Sequence, residues 1–210
     1  MNALSFTDVV AAPQKSLTLD VFPNVQLTTN YDAIIEGWLR ALKLRDAKSE
    51  QHARRVADLT VQFGRSIGLR EQDLVYLKQG ALLHDIGKLI VPYSVLLKPE
   101  RLSYNEEQIM RSHPVYAYEM LSPISFPRMV VDIALYHHEK WNGEGYPFGL
   151  AGEDIPYAAR MVAIADVWDA LTTERNYRTA WSKGEAIAYF HEKSGVHFDA
   201  DLVDLFLRTV

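Results

Sequence analysis

The 210-residue chain has no cysteine. Disulfides, thiolate metal sites and a cysteine nucleophile are therefore excluded, and any metal has to be held by nitrogen and oxygen donors. No apolar run approaches the roughly 18 residues of a membrane span, and no basic stretch followed by an apolar one opens the chain. The expected compartment is the cytoplasm, with no membrane partner. Positive charge is not in excess either: 22 basic against 27 acidic side chains leave a formal net charge of -5. This argues against a DNA or RNA polymer as partner, while leaving room for a local basic site that takes one phosphate ligand. Internal repeats, low-complexity tracts and flexible interdomain linkers are also missing.

What the chain does have is apolar mass, 48% of its residues, enough for a substantial core. From residue 31 onward apolar residues recur at spacings of three and four, as in Ile34, Ile35, Trp38, Leu39 and Leu42. The spacing predicts helices over 31–45, 48–68, 71–85, 104–121, 127–138, 154–173, 182–193 and 199–208. Asp73, Ser103 and Asp154 lie near predicted helix starts, and prolines punctuate the joins. Residues 1–30 read differently, with β-branched and alternating character around a proline, and are expected to form a short strand or extended arm. The expected class is all-α: one helical domain over 31–210, preceded by the arm over 1–30.

Five of the seven histidines fall in clusters: His52 in "EQHARRV", His84 in "HDIGK", His113 in "RSHPV", and His137 with His138 in "YHHEKWNGEGYP". Two carboxylates join them, Asp85 and, after the apolar run Met161–Ala165, Asp166. Singly, each has an ordinary explanation as a hydrogen-bonded core residue or a helix end. Together, five imidazoles and two aspartates on separate apolar helices share one interior only if a cation collects them, and this is a good donor set for divalent transition metals. Two divalent ions against two aspartates leave a site about two units positive, able to acidify a bridging water and attract a phosphodiester. Asp85 is the candidate bridge between the ions.

The surroundings suit phosphate chemistry. Lys88 lies one helical turn beyond His84, where it can neutralise a phosphate oxygen or a leaving group. Arg175 and Arg178 in "TTERNYR" offer guanidinium forks to phosphate or to a guanine edge. In "WNGEGYP", Gly143 and Gly145 allow positive φ, Pro147 fixes the exit, and Trp141 or Tyr146 is available for base stacking. His191 and His197 lie outside the clusters and receive no role.

"HDIGK", "VPYSVLLKP", "IMRSHP", "HHEKWNGEGYP", "ADVWDALTTERNYR" and a closing "HFDADLV", in that order, resemble the HD-GYP family, a branch of the HD superfamily of metal-dependent phosphohydrolases. The resemblance runs from about residue 31 to the C-terminus. It implies an HD-domain helical bundle, a five-helix core with additional helices. It also implies a bi- or trinuclear centre, often of iron or manganese, and hydrolysis of cyclic di-GMP to linear pGpG or onward to GMP. Carried over by position, the metal ligands are His52, His84, Asp85, His113, His137, His138 and Asp166. Asp85 and Lys88 serve catalysis, while Lys88, Tyr146, Arg175 and Arg178 hold the substrate. Lys48 stands where trinuclear members carry a glutamate, so two ions are expected, with a hydroxide between them as the attacking group. Glu144 and Tyr93 depart from the common pattern. No receiver or sensor domain is expected ahead of the catalytic unit, and a homodimer or a signalling-protein partner remains open. Two rivals stay in view: a phosphohydrolase acting on another cyclic dinucleotide or a mononucleotide, and a non-catalytic cyclic di-GMP-binding signalling module.

Overall fold

Periodic apolar positions become buried stripes in the computed structural model, which describes residues 31–174 and 179–210. The arm expected over 1–30 lies outside the described residues, as do Arg175 and Arg178. Helix α1 (Tyr31–Arg45) buries Ile35, Leu39 and Leu42, one side of its cylinder. Helix α2 (Ala47–Ser66) is capped by Asp46, whose carboxylate accepts the Lys48 N–H at 3.1 Å, satisfying one of the orphan donors of the first turn. Then follow α3 (Glu71–Leu83), a 3-10 turn (Ile86–Leu89), and the short α4 (Tyr93–Leu96). Helices α5 (Tyr104–Arg111), α6 (His113–Leu121) and α7 (Arg128–Tyr136) come next. A 3-10 turn (Gly152–Asp154) leads to α8 (Tyr157–Thr172), α9 (Lys183–Lys193) and α10 (Ala200–Leu207). No strand occurs among the described residues, only the isolated bridges Asn142–Ala151 and Ser194–Phe198. The all-α expectation is met.

Helix α8 is central because it is apolar nearly all round: Met161, Val162, Ile164 and Ala165 are buried, and so is Trp168. It packs against α2, α7, α9 and α10, while α2 packs on α1 and α3, and α3 on α7. Helix α6 is fastened to the 3-10 turn at 86–89 and to α7. Thus α2, α3, α6, α7 and α8 enclose one interior. An aromatic cluster fills its C-terminal part, with Phe63 and Trp168 meeting Phe206 edge-on at ring separations of 5.2 and 5.5 Å.

Three predicted helices differ from the observed ones. The helix predicted over 104–121 is broken at Ser112, where Pro114, without an N–H, opens the first turn of α6 instead of continuing α5. Helix α3 stops at Leu83, two residues early, which puts His84 at its C-cap and Asp85 ahead of the 3-10 turn. Helix α8 begins after Pro156, not at Asp154, which belongs to the preceding 3-10 turn.

Candidate metal centre

Helix ends deliver the imidazoles. The last turn of a helix leaves carbonyls without intrahelical partners, and three histidines use one three residues back. His84 Nδ1 donates to the Ala81 carbonyl (2.6 Å), His113 Nδ1 to Met110 (2.8 Å) and His137 Nδ1 to Ala134 (3.1 Å). A carbonyl only accepts, so the proton sits on Nδ1 and the neutral ring presents a lone pair at Nε2.

These Nε2 atoms converge. His113 Nε2 lies 3.3 Å from His137 Nε2 and 3.2 Å from Asp85 Oδ1. His84 Nε2, buried and without a hydrogen-bond partner, lies 3.4 Å from Asp85 Oδ2. One donor atom each from Asp85, His113, His137 and His138 falls within 4.8 Å of the others, and a second such group comprises His52, His84 and Asp85. Asp85 belongs to both groups. Asp166 reaches the second group through His52, whose Nε2 is 2.8 Å from its Oδ1. Facing lone pairs and an orphaned buried nitrogen are what a cation would relieve, so this donor set fits a metal.

The electrostatics agree. Burial holds His137 well below the ordinary imidazole range and His138 down at about 3, helped by neighbouring imidazoles, so both are neutral donors. Burial works against ionisation of Asp85, but the Lys88 ammonium beside it outweighs that and holds the carboxyl well below the usual carboxylate range. Burial likewise opposes a charged His52, yet hydrogen bonds to Asp166 and Asp169 raise it to about 9.

The predicted substrate residues are placed as follows. Lys88 Nζ sits 2.5 Å from Asp85 Oδ2. The Tyr146 ring lies 4.7 Å from that of His138, and the Arg111 guanidinium lies 5.2 Å from the Tyr146 ring centre. Its loop is held by Glu139, a buried carboxylate that accepts the N–H groups of Phe148 (2.8 Å) and Leu150 (3.0 Å). The carbonyl of His197 accepts the Trp141 N–H at 3.0 Å, which gives that otherwise unassigned residue an anchoring contact. Gly143 has φ of 80°, as expected, but Gly145 has no positive φ. It is needed for space, since a Cβ there would fall 2.4 Å from the Lys140 nitrogen.

Sequence reasoning passed over Asp169, Arg55 and Glu139. Asp169 accepts from His52 Nδ1 at 2.6 Å and from Arg55 Nε at 2.6 Å. The signal available was spacing: Asp169 follows Asp166 by three residues, and Arg55 follows His52 by three, so each pair shares a helix face.

Residues 39–202 match the model of the HD domain family. The chain belongs to that family, as the resemblance implies. It is 42% identical over 171 residues to the cyclic di-GMP phosphodiesterase response regulator RpfG of Xanthomonas campestris pv. campestris, covering 80% of this chain and 45% of that one. It is 36% identical over 186 residues to the 3'3'-cGAMP-specific phosphodiesterase 2 of Vibrio cholerae, covering 88% and 36%. Among solved structures, a cyclic GMP-AMP phosphodiesterase of V. cholerae superposes with a TM-score of 0.63 at 21% identity, covering 83% of this chain and 47% of that one. The HD domain of L. monocytogenes PgpH in complex with cyclic-di-AMP gives 0.62 at 18%, covering 82% and 92%. The chain spans at most half the length of the curated relatives it matches.

Proposed function

We propose that residues 31–210 form an HD-GYP phosphodiesterase unit that binds two divalent transition ions, iron or manganese, and hydrolyses cyclic di-GMP to linear pGpG or onward to GMP, in the cytoplasm. The carrying observation is the convergence of two donor groups on Asp85, because paired ions are suited to an in-line displacement at phosphorus. His52, His84, His113, His137, His138 and Asp166 complete the donor set. Several curated relatives named cyclic di-GMP phosphodiesterases support the choice of substrate.

When bound, the ions would supply a water acidified for attack and positive charge at the phosphoryl oxygens. The chain's own groups supply the rest. Asp85 holds the donors of both groups in register and stays ionised. Lys88, paired with it, offers an ammonium to a non-bridging oxygen or to the departing 3' oxygen. Tyr146, packed on His138, presents its ring to a guanine face. Arg175 and Arg178 contribute substrate contacts in the same proposal.

A second reading is favoured by the relatives named 3'3'-cGAMP-specific phosphodiesterases, which match at 36% identity. It retains the chemistry and changes one base. The test is turnover by Mn2+- or Fe2+-loaded protein across cyclic di-GMP, 3'3'-cGAMP and cyclic di-AMP, with the double variant His84→Ala/Asp85→Ala alongside. Loss of ion uptake and hydrolysis together in the variant is expected. Full activity in the variant would refute the site, and tight binding of cyclic di-GMP without turnover in the parent would favour a signalling module.

A further inference from the structure

We propose that Asp169 is a positioning residue, held by Arg55, that fixes the ring of His52 for one ion of the pair; this rests on the metal-centre reading above. Asp166 and Asp169 lie one turn apart on the same face of α8, and the His52 imidazole from α2 stands between them. Its Nε2 meets Asp166 Oδ1 at 2.8 Å and its Nδ1 meets Asp169 Oδ2 at 2.6 Å. The two carboxylates are nevertheless not equivalent.

Asp169 is saturated. Its Oδ1 accepts from Arg55 Nε (2.6 Å) and Thr173 Oγ1 (3.1 Å), and its Oδ2 accepts from Arg55 Nη2 (2.9 Å) as well as from His52. Two parallel bonds from a guanidinium fix the plane of a carboxylate. Both oxygens of Asp169 are thus occupied, and its carboxylate, on a residue 3% exposed, touches the donor set through the His52 imidazole. A carboxylate in this position can only accept, so Nδ1 must carry a proton and Nε2 is the atom offered to an ion. A carboxylate behind a ligating histidine sets both ring orientation and tautomer, and removing such a partner costs about 10- to 100-fold in metal affinity.

Asp169→Asn separates this role from a structural one. Arg55 retains the amide oxygen, so the amide NH2 is turned toward His52 Nδ1, which must then accept. The proton is then favoured on Nε2, and an ion has to displace it to bind there. The chelator-treated full chain is titrated with Mn2+ by calorimetry, and its unfolding is followed without ion. D169N is expected to weaken one of two Mn2+ ions about 10- to 100-fold and leave the other unchanged. Arg55→Met, at a partly exposed site and so tolerant of folding, is expected to weaken the same ion by a smaller factor. D169N binding both ions within about twofold of the parent, even with a lower Tm, overturns the assignment, and so does an unaltered R55M where D169N does not fold. A parent chain that takes up no Mn2+ overturns the metal-centre reading itself.

Discussion

His113 Nε2 stands 3.3 Å from His137 Nε2, with both rings committed through Nδ1–H to backbone carbonyls. Neutral rings so held aim two lone pairs at each other, and Asp85 Oδ1 adds a third acceptor 3.2 Å from the first. A single proton can satisfy one of these contacts, whereas a divalent ion satisfies all of them. Ion binding should therefore stabilise the fold strongly. At a free concentration of 1,000 times Kd the gain is about 4 kcal/mol, or a Tm rise on the order of 10 °C for a chain of this size. Thermal unfolding of chelator-treated protein with and without Mn2+ measures it, and an unchanged Tm would count against a metal in this cluster.

Without ions the same centre makes stability depend on pH in both directions. His138, depressed to about 3 by burial, and His137, lowered in the same sense, are neutral in the fold and protonate on unfolding below the ordinary value of 6.5. The unfolded chain then binds more protons, so stability falls as pH drops from 6.5 toward 3. His52 runs the other way: raised to about 9, its contribution is complete below 6.5 and lost as pH climbs through 9. The ion-free protein should thus be most stable near pH 6.5. Urea midpoints between pH 4 and 10 test this, and a flat profile across that range is the contrary result.

Long periodic segments made most of the helices legible, since Ile35, Leu39 and Leu42 each bury the face their spacing indicates. Helix α4 escaped because four residues between prolines carry no readable period. The break at Ser112 was written in Pro114, but apolar periodicity on either side masked it. The clustered histidines stood out as a set, whereas Asp169 did not. A carboxylate one turn past a candidate ligand looks the same in sequence whether it faces solvent or an imidazole, and only the crossing of α2 over α8 decides which. Glu139 was hidden for a related reason: its partners are the backbone N–H groups of Phe148 and Leu150, and backbone donors have no sequence signature.

Two glycines should fail differently when replaced by alanine. A Cβ on Gly87 would fall 1.9 Å from the His113 carbonyl oxygen and 2.6 Å from the Ala117 nitrogen, both backbone atoms of α6. Gly87→Ala must push α6 away from the 3-10 turn, at a cost of about 1–3 kcal/mol or more, and His113 moves with it, so Mn2+ affinity should fall too. Gly145→Ala meets Lys140 and Glu139 backbone at 2.4 and 2.5 Å in the loop that carries Tyr146. That change should raise KM for the cyclic dinucleotide while Mn2+ affinity holds. Urea unfolding, ion titration and steady-state kinetics on both variants separate the two cases, and equal Mn2+ affinities would contradict the placement of Gly87.

Lys88 invites a prediction with two opposite signs. Its ammonium lies 2.5 Å from Asp85 Oδ2, so in the ion-free protein it competes with any cation for that carboxylate. Replacing it by glutamine removes a like charge from the neighbourhood of the ions, and Mn2+ should bind more tightly to Lys88→Gln than to the parent. If the same ammonium stabilises charge on the phosphoryl group as it develops, turnover must move the other way. Removing one preorganised donor of this kind costs roughly 100-fold in kcat, with KM for cyclic di-GMP much less affected. Tighter ion binding with slower turnover distinguishes a residue acting on the reaction from one that merely neutralises Asp85. In the latter case K88Q would bind Mn2+ more tightly and hydrolyse substrate as fast as the parent.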